Sequence, residues 1–472
     1  MYKVGIYTLG CKVSLYESEA ISEAFSEAGY RVCSFDQVCD VYVINTCTVT
    51  AESDAKSRKY IRRAIRKNPS AAVIVIGCYS QRSPEEVMAI EGVSAVIGTA
   101  DKMKCVEIAD RILRSELTES PSEKNLLQKQ AKPVNEASFD VRKTDKIISN
   151  FKLQIPNLVG SLDGAEFEPM CVKNAPRTRT YVKIEDGCEC KCTYCAISGA
   201  RGPVRSKRPE EVISEVEGLY KNGTLEVVLT GIETGSYGAD FDEKYDLADL
   251  ISELDERGSC ERLRLGSMAP ELLCRDFVDR IAGMKIMVPH FHISMQSGSS
   301  NVLRGMKRRY NRDMALKNIA NIREKMPEVM LTADLMVGFP GESDEDFLDT
   351  VSFVREARLL DAHVFAYSKR EGTPAAGYDN QISEQLKKER SARLIEECAR
   401  VRDEVLSDVV AKGKALSCIL ETYRDGSYTA HSDSYIEVAC EGTRGLEGKL
   451  VLVKPLYHKD GKIYGKILNI DN

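Results

Sequence analysis

The first hundred residues alternate short apolar runs with a segment of helical spacing. Lys3–Thr8, Val41–Asn45 and Ala72–Ile76 are apolar runs too short to be helices. Tyr16–Glu27 repeats its apolar residues with the period of a helix. This alternation predicts a small parallel α/β sheet at the start of the chain.

A second and longer alternation begins near Arg179. Six strand candidates are Tyr181–Glu185, Val227–Thr230, Leu263–Ser267, His290–Gln296, Met330–Gly338 and His363–Tyr367. Helical segments between them include Pro209–Lys221, Glu271–Ala282, Arg312–Lys325 and Glu345–Arg358. Six β/α units with parallel strands predict a partial (β/α)6 barrel, in which chemistry sits at the carboxyl ends of the strands.

A linker separates these two regions, and a long helix and a small domain follow the second one. Residues 116–175 are polar and irregular and are predicted to be a linker with short ordered pieces. Gln385–Val410 predicts one long helix, and four short segments separated by glycines predict a small antiparallel β-barrel after it. We therefore expect an α/β protein with an N-terminal domain (1–115), a linker (116–175), a central barrel with its long helix (176–411) and a C-terminal barrel (412–472).

Composition limits the class of protein, its cellular compartment and its possible partners. Hydrophobic residues make up 43% and charged residues 29%, as in an ordinary globular protein. The net charge of −6 means that any nucleic acid must be met by local basic patches. With 16 cysteines, no signal-peptide pattern and no apolar run long enough to span a bilayer, we expect a cytoplasmic protein with no membrane contact. In a reducing compartment clustered cysteines bind metal more often than they form disulfides.

One short loop carries the most specific chemistry. Cys188, Cys192 and Cys195 have the spacing C-x3-C-x2-C, directly after the first strand candidate of the barrel. Three thiolates can hold a 4Fe-4S cluster by three corners and leave the fourth iron open, whereas a closed cluster normally uses four cysteines. Zinc, with Cys190 as a fourth ligand, is the alternative, although structural zinc sites usually have two separated pairs of ligands.

Three further cysteines lie at strand ends in the first domain. Cys11, Cys47 and Cys78 each follow one of the three apolar runs. Because parallel strands bring their carboxyl ends to one edge of a sheet, these cysteines are expected to converge there. The alternative is that they are buried small residues of an ordinary core.

The motifs together resemble a known family. They are Thr8-Leu9-Gly10-Cys11-Lys12-Val13, Asn45-Thr46-Cys47-Thr48-Val49-Thr50, Gly77-Cys78-Tyr79 and Asp186-Gly187-Cys188 through Cys195. This set is similar to the radical SAM methylthiotransferases, and most similar to the branch that modifies threonylcarbamoyl-adenosine in tRNA. The C-terminal segment resembles the TRAM domain, an RNA-binding module.

The resemblance implies an enzyme that replaces the hydrogen on carbon-2 of threonylcarbamoyl-adenosine, next to the anticodon, with a methylthio group. It implies two 4Fe-4S clusters, on the two cysteine triads, and two molecules of S-adenosylmethionine. The implied partners are the anticodon stem-loop of tRNA and an electron donor such as a flavodoxin or ferredoxin, and we expect a monomer. The alternatives are the same chemistry on isopentenyladenosine tRNA or on a ribosomal-protein aspartate, and a non-catalytic iron-sulfur protein that binds RNA.

Other candidate residues follow from strand-end position. Thr230, Glu233, Ser267 and Gln296 are the candidates for holding S-adenosylmethionine, and no catalytic residue beyond the cluster ligands is predicted. The fourth strand candidate places His290, His292, Ser294 and Gln296 on one polar face, which indicates a ligand-filled lumen. Asp334 on the next strand is predicted either to pair with an arginine or to contact substrate.

Two runs of cations are candidates for RNA contact. The first lies on a predicted helix without any acidic residue among its members, and the second follows the fourth strand candidate at the barrel rim. The first comprises Lys56, Arg58, Lys59, Arg62, Arg63, Arg66 and Lys67, and the second comprises Arg304, Lys307, Arg308, Arg309 and Arg312. Stacked like charges favour an anion partner, and a solvated helix face is the alternative.

Overall fold

The computed structural model describes residues 1–114, 157–174 and 178–470. Most of the predicted linker, 116–175, lies outside the described residues. The chain forms two compact units, one of Met1–Thr48 with Glu52–Ser161 and one of Val49–Ala51 with Leu162–Asn472. In the described ranges no helix is long and apolar enough to cross a bilayer.

The first unit is a parallel sheet with helices on both faces, as predicted. Its strands are β1 (Lys3–Thr8), β2 (Arg31–Cys33), β3 (Val41–Thr46), β4 (Ala72–Gly77), β5 (Ala95–Ile97) and β6 (Asn157–Leu158), in the order β2-β1-β3-β4-β5-β6. All adjacent pairs are parallel. The helices are α1 (Lys12–Glu27), α2 (Ala51–Lys67), α3 (Cys78–Arg82), α4 (Pro84–Met88) and α5 (Lys104–Leu113).

The core of this unit lies on both sides of the sheet. Val43 and Ile74 pack in one hydrophobic cluster with residues of α1 and α5, and Ile44 and Val75 pack in the other with residues of α2. Successive strand residues point to opposite faces, so a sheet covered on both faces needs nearly continuous apolar strands. This explains why the apolar runs of β3 and β4 are unbroken.

The second unit contains the predicted partial barrel. Its main strands are β7 (Arg179–Lys183), β10 (Glu226–Thr230), β11 (Arg262–Leu265), β12 (Ser267–Met268), β13 (His290–Gln296), β14 (Met330–Val337) and β15 (Asp361–Ala366), and a small antiparallel pair is formed by β8 (Glu185–Asp186) and β9 (Arg205–Ser206). The main strands form two parallel sheets, β11-β10-β7 and β12-β13-β14-β15. The predicted third strand, Leu263–Ser267, is divided between β11 and β12 at Gly266.

Helices alternate with these strands. They are α6 (Ile197–Arg201), α7 (Pro209–Lys221), α8 (Leu247–Arg257), α9 (Arg275–Ile281), α10 (Ser300–Gly305), α11 (Arg312–Lys325), α12 (Asp344–Glu356) and the long α13 (Glu384–Lys412). The predicted helix Glu271–Ala282 begins instead as a 3-10 turn, Pro270–Leu273, followed by α9. A capping box is present at Ser343, whose side chain accepts from the Asp346 backbone N–H.

The C-terminal segment is a small closed barrel with five strands rather than four. They are β16 (Leu416–Arg424), β17 (Ser427–Ser432), β18 (Glu437–Glu441), β19 (Leu450–Lys459) and β20 (Lys462–Ile470), closed in the order β16-β17-β18-β20-β19. The pattern missed β17, whose buried positions include Ser432 and whose outward positions are polar. The barrel is not wholly antiparallel, because β18 and β20 are parallel.

This small barrel closes the amino-terminal end of the partial barrel. Tyr435 stacks on His290 with ring centroids 4.6 Å apart, and the guanidinium groups of Arg179 and Arg264 lie 5.3 and 5.0 Å from its ring centroid. Both arginines also pair with the buried Glu226 carboxylate at 2.8 Å. Burial alone would raise the pKa of Glu226, but these cations hold it below its ordinary value. The lumen is therefore blocked at its amino-terminal end.

Candidate functional site

The cysteine loop begins with a backbone turn that requires glycine. Gly187 has φ 97°, and a β-carbon there would lie 1.9 Å from the Pro203 carbonyl oxygen. The next N–H, that of Cys188, donates to the Gly202 carbonyl at 3.0 Å. The loop is thus anchored to the segment between α6 and β9 immediately before its first cysteine.

A buried carboxylate organises the entry to this loop. Asp186 pairs with Lys183 at 2.5 Å and with Arg201 at 3.1 Å, and it accepts the Gly187 N–H at 2.9 Å. Lys183, Asp186 and Arg201 are all buried. Charges in such surroundings persist only when they are paired and hydrogen-bonded, so this network fixes the end of β8 where the loop starts.

The far side of the loop is held by the segment that follows β13. The N–H of Thr193 donates to the Met306 carbonyl at 3.1 Å, and its hydroxyl donates to the Gly305 carbonyl at 2.9 Å. The Thr193 carbonyl accepts the Ala375 N–H at 2.9 Å. Contacts from three parts of the barrel therefore place the loop at the carboxyl ends of the strands, as predicted.

The thiols of the loop receive hydrogen bonds from nearby nitrogen donors. The Ile197 N–H donates to Cys195 Sγ at 3.4 Å, and Arg308 Nη1 donates to Cys192 Sγ at 3.3 Å. The Cys188 thiol donates a hydrogen bond to Cys190 Sγ, which lowers the pKa of Cys190 to about 6. N–H donors directed at sulfur suit thiolate ligands, so this loop fits an iron-sulfur cluster held by Cys188, Cys192 and Cys195.

Arg308 differs from its predicted place. The pattern put it in a basic run expected to contact RNA, but it is half-buried and its guanidinium also donates to the Ser294 carbonyl at 3.3 Å and to Tyr310 Oη at 2.9 Å. In the same run, Arg312 is turned toward Glu356 at 2.6 Å. The predicted RNA contact of the Arg304–Arg312 run therefore does not hold for Arg308 and Arg312, whose guanidinium groups bind within the barrel. Periodicity could not show this, since α10 and the loop after it are too short to define a face.

The four candidates for S-adenosylmethionine contact lie along the same rim. Glu233 lies beside the cysteines, because one of its oxygens lies within 4.8 Å of the sulfurs of Cys188 and Cys190. Burial raises the pKa of Glu233 to about 7. Thr230 is buried at the end of β10, and Ser267 pairs with His292 in the sheet. Gln296 ends β13 with a left-handed φ of 67°, a backbone state that is uncommon outside glycine.

Glu185 is a site residue that the sequence pattern did not indicate. Its Oε2 accepts the Glu233 N–H at 2.8 Å, and a β-carbon on Gly231 would lie 2.5 Å from that oxygen. Burial raises the pKa of Glu185 well above its ordinary value, and its Oε1 has no hydrogen-bond partner within the described part of the chain. The sequence pattern did not indicate Glu185, because its position is that of an ordinary residue at the end of a strand.

The first unit brings its three cysteines to one sheet edge. Cys47 and Cys78 directly follow the paired residues Thr46 and Gly77 of β3 and β4, and Cys11 is the residue before α1. A β-carbon placed on Gly10 would lie 3.3 Å from Cys47 Cβ, so the loop carrying Cys11 packs against Cys47. Cys47 and Cys78 are buried and Cys11 is exposed. This arrangement fits a three-thiolate ligand set and does not resemble three scattered core residues.

Residues around this edge hold the loops in place. Gly77 has φ 99°, and a β-carbon there would lie only 2.7 Å from the Thr46 carbonyl oxygen, so no other residue fits before Cys78. Arg58 donates to Tyr79 Oη at 2.9 Å, and Tyr79 Oη donates to Glu86 at 2.6 Å. Arg58 therefore supports α3, the helix that begins at Cys78, and does not face solvent as part of a uniform basic stripe.

The other cations of α2 fall into two groups, those that pair with acidic residues and those that are open to solvent. Arg63 and Lys67 pair with Asp36, and Lys56 pairs with Glu52 at 2.7 Å. The remaining cations, Lys59, Arg62 and Arg66, lie at least partly open to solvent. Only these three keep the character that the sequence predicted for all seven.

The polar face of β13 contacts polar side chains of the neighbouring strand β14. His290 and His292 are both hydrogen-bonded to Thr332 Oγ1, at 3.0 and 2.8 Å. Asp334 does not pair with an arginine in the described ranges; its two oxygens lie 3.2 Å from His292 Nε2 and 3.2 Å from His363 Nδ1. The prediction of an arginine partner is wrong, and the prediction of a substrate contact stays open.

Comparison with known proteins agrees with this geometry. Residues 182–354 match the model of the Radical SAM superfamily, and residues 3–98 match Uncharacterized protein family UPF0004. A protein of Bacillus subtilis (strain 168) named threonylcarbamoyladenosine tRNA methylthiotransferase is 38% identical over 97% of this chain and 94% of its own length. The chain belongs to the radical SAM methylthiotransferase family. As a member, it is an enzyme that transfers a methylthio group and uses a 4Fe-4S cluster with S-adenosylmethionine.

Of two other relatives, one has the same named substrate and one has a different one. A protein of Aquifex aeolicus with the same name is 33% identical over 96% of this chain and 99% of its own length. A tRNA-2-methylthio-N(6)-dimethylallyladenosine synthase of Alkaliphilus oremlandii is 29% identical over 99% of this chain and 93% of its own length. The methyltransferase TsrM of Kitasatospora setae has a similar fold, with a TM-score of 0.54 and 16% identity over 80% of this chain and 74% of its own.

The contact between Arg308 and Cys192 gives a first prediction about this methylthiotransferase. Replacing Arg308 with Gln should move the midpoint potential of the cluster in the loop to a more negative value, because an N–H···S bond and a nearby positive charge favour the reduced cluster. Iron content should not change, since all three cysteines remain. The measurement is a redox titration followed by electron paramagnetic resonance.

Two further variants complete this experiment. Arg308→Lys keeps the charge but loses the planar donor geometry and should give an intermediate potential. Arg304→Gln removes a nearby cation whose guanidinium donates to Asn301 at 3.2 Å rather than to a cysteine, and should leave the potential unchanged. An unchanged potential in Arg308→Gln would show that this hydrogen bond has no influence on the cluster.

Proposed function

We propose that this enzyme is a tRNA methylthiotransferase that replaces the hydrogen on carbon-2 of threonylcarbamoyladenosine, next to the anticodon, with a methylthio group. The observation that carries the proposal is the likeness to the Bacillus subtilis threonylcarbamoyladenosine enzyme, at 38% identity over 97% of the chain. The dimethylallyladenosine synthase of Alkaliphilus oremlandii is 29% identical, which favours threonylcarbamoyladenosine over that substrate.

The reaction class explains why a radical cofactor is needed. An aromatic C–H bond is too inert for acid–base chemistry by side chains, so the difficult step belongs to the cofactor. When bound, an open-cornered 4Fe-4S cluster supplies the electron that cleaves S-adenosylmethionine to methionine and a 5′-deoxyadenosyl radical, and a second cluster supplies a site for the transferred sulfur. The residues of the chain hold, orient and tune these groups.

The loop of the partial barrel is the proposed site of the first cluster. Cys188, Cys192 and Cys195 are its ligands, and the Asp186 network positions them. Glu233 lies beside Cys188 and offers a carboxylate that can accept a hydrogen bond from the amino group of S-adenosylmethionine. Thr230, Ser267 and Gln296 remain candidates for the rest of that molecule.

The edge of the N-terminal sheet is the proposed site of the second cluster. Cys11, Cys47 and Cys78 again number three, so the cluster keeps one iron without a protein ligand, where sulfur can attach. A cluster with only a structural role would be expected to have four cysteines. This supports catalysis over the alternative of a non-catalytic iron-sulfur protein that binds RNA.

The C-terminal barrel offers a surface suited to RNA. On its last hairpin the rings of Tyr457 and Tyr464 stack with centroids 4.9 Å apart and planes 4° apart. Lys454 and Lys466 lie directly opposite each other on the same hairpin. Like charges opposed in a sheet are unfavourable without an anion, and aromatic platforms stack with bases. This combination supports binding of the tRNA partner.

Solvent-facing cations of α2 are a second proposed RNA contact. Lys59, Arg62 and Arg66 lie within about two turns of one helix and bring three positive charges close together. A flavodoxin or ferredoxin as the electron donor, and a monomeric state, remain predictions.

The substrate assignment is tested in cells. Mass spectrometry of tRNA nucleosides should find 2-methylthio-threonylcarbamoyladenosine in cells that carry this chain and only threonylcarbamoyladenosine in cells that lack it. Loss of the methylthio group from isopentenyladenosine, or from a ribosomal-protein aspartate with unchanged tRNA, would assign the enzyme to another branch of the family.

The two triads should be separable by mutation. Changing Cys188, Cys192 and Cys195 to Ala should roughly halve the iron of the anaerobically reconstituted enzyme and end the formation of 5′-deoxyadenosine. Changing the triad of the first unit to Ala should also halve the iron and end the methylthio product, but 5′-deoxyadenosine should still form. Both products are measured in the same reaction.

A matched variant controls this experiment. Cys105→Ala removes a buried cysteine of the first unit that belongs to neither triad, and it should leave the iron content and both products unchanged. If the methylthio product survives removal of the first-unit triad, that triad is structural and the proposed division of roles fails. Zinc in place of iron after anaerobic purification would contradict the cluster assignment itself.

The two RNA surfaces make a prediction about salt dependence. Changing Lys59, Arg62 and Arg66 to Gln, or Lys454 and Lys466 to Gln, should weaken tRNA binding and flatten its salt dependence. The slope should fall by about 0.9 for each duplex phosphate that the protein no longer neutralises. Cleavage of S-adenosylmethionine without tRNA should not change, because these side chains are placed outside the cluster sites. The measurement is a binding titration at several salt concentrations.

Controls for charge are available on each unit. Lys104→Gln in the first unit and Arg424→Gln in the second remove exposed cations that already pair with Asp101 and Asp425. They should have little effect on tRNA affinity. Equal effects of the control and test variants would reduce these surfaces to general electrostatic attraction.

A further inference from the structure

A cluster of metal-ligating side chains lies in the partial barrel, apart from both cysteine triads. His292, Asp334 and His363 come from the adjacent parallel strands β13, β14 and β15. One ligand atom of each lies within 4.8 Å of the corresponding atoms of the other two. They include two of the five histidines of the chain.

Strand register places these groups on the lumen face. His292 is paired with Thr332, and Asp334 is paired with His363. Residues on the opposite face of the same strands, such as Ile293 and Leu335, are fully or almost fully buried in the core. Two residues further along the strands, Met336 and Phe365 pack with Tyr194 of the cysteine loop. The group therefore lies one layer below the cysteine loop.

The side chains of this group suit a cation. The two carboxylate oxygens of Asp334 lie 3.2 Å from His292 Nε2 and 3.2 Å from His363 Nδ1, so a carboxylate and two ring nitrogens face one another. Carboxylate oxygens and imidazole nitrogens are ligand atoms for divalent metal ions. The side chain of Asp334 is 25% exposed and that of His363 is 77% exposed, so the group is open to the lumen.

An outer partner orients the most buried ligand. His292 Nδ1 is hydrogen-bonded to Thr332 Oγ1 at 2.8 Å, while its Nε2 lies toward Asp334 Oδ2. Histidines that bind metals typically bond through their other ring nitrogen in this way, which fixes the tautomer.

We propose that His292, Asp334 and His363 form a binding site for a divalent cation of the first transition row, within the lumen and distinct from the cluster sites. Two imidazoles and one carboxylate are a ligand set of zinc and of non-haem iron(II). Three protein ligands leave at least one coordination position for water or for an oxygen of the substrate.

Zinc is the probe of choice for testing this site. Divalent ions bind nitrogen and oxygen ligands in an order that places zinc above manganese and iron(II), so a site that fails to bind zinc would not bind those ions. The enzyme is used with both clusters loaded, so that the cysteines of the triads are occupied. Zinc is added, excess zinc is removed by gel filtration, and zinc, iron and protein are measured.

The loaded enzyme should retain about one zinc ion per chain, with ligands at about 2.0 to 2.1 Å by zinc X-ray absorption and no sulfur at about 2.3 Å. Thr332→Val removes the outer hydrogen-bond partner of His292 and should weaken zinc binding by ~10- to 100-fold. His363→Gln and Asp334→Asn each change a ligand and should weaken zinc binding by at least as much. Iron content should be unchanged in all three variants. The exposed position of His363 makes its replacement compatible with folding.

His458→Gln is the matched control, because His458 lies 4.0 Å from Asp403 outside the lumen. It should retain the zinc of the parent enzyme. The proposal is overturned if the loaded enzyme retains no zinc, if the bound zinc has sulfur ligands, or if His363→Gln and Asp334→Asn bind zinc as the parent does.

Discussion

The direction of parallel strands is the constraint on which both candidate sites depend. In a parallel sheet every carboxyl end lies at one edge, so loops distant in sequence meet without any further device. The first unit uses this at Cys47 and Cys78, which follow paired residues of neighbouring strands. The partial barrel uses it again for the cysteine loop and the residues around Glu233, while its amino-terminal end is occupied by Tyr435 of the small barrel. Each end of the strands thus has a separate task.

Buried charge does much of the positioning that strand direction leaves open. Asp186 holds the entry of the cysteine loop through Lys183 and Arg201, and Glu226 joins the strand starts to the small barrel through Arg179 and Arg264. Removing one member of such a pair leaves an uncompensated buried charge, a change that typically costs about 3 to 5 kcal/mol. These networks therefore tie the geometry of the site to the stability of the barrel.

Much of this fold follows from hydrophobic periodicity, because long helices and buried strands repeat their pattern over many residues. Pro209–Lys221 and Arg312–Lys325 were predicted with the bounds that the structure has. Short elements were not predicted correctly. β17 has too few alternating apolar residues to be recognised, and Gly266 divides a strand that the pattern predicted as continuous. At the site, cysteine spacing predicted the cluster loop, and the positions of the strand ends predicted the residues around it. The contact of Arg308 with Cys192 and the pairing of Asp334 with two histidines could not be predicted, because they depend on neighbours far away in sequence.

The interior of the partial barrel is layered along β13. His290 meets Tyr435 at the closed end, His292 joins Asp334 in the next layer, and the Ser294 carbonyl accepts from Arg308 beside the cysteine loop. Because the amino-terminal end of the partial barrel is blocked, S-adenosylmethionine and the adenine must enter at the carboxyl ends of the strands or through the open side of the partial barrel. A substrate reaching past the cysteine loop would meet the layer of His292, Asp334 and His363 last. The layer of His292, Asp334 and His363 is therefore the part of the lumen where groups attached to the adenine would meet ionisable side chains beyond the cysteine loop.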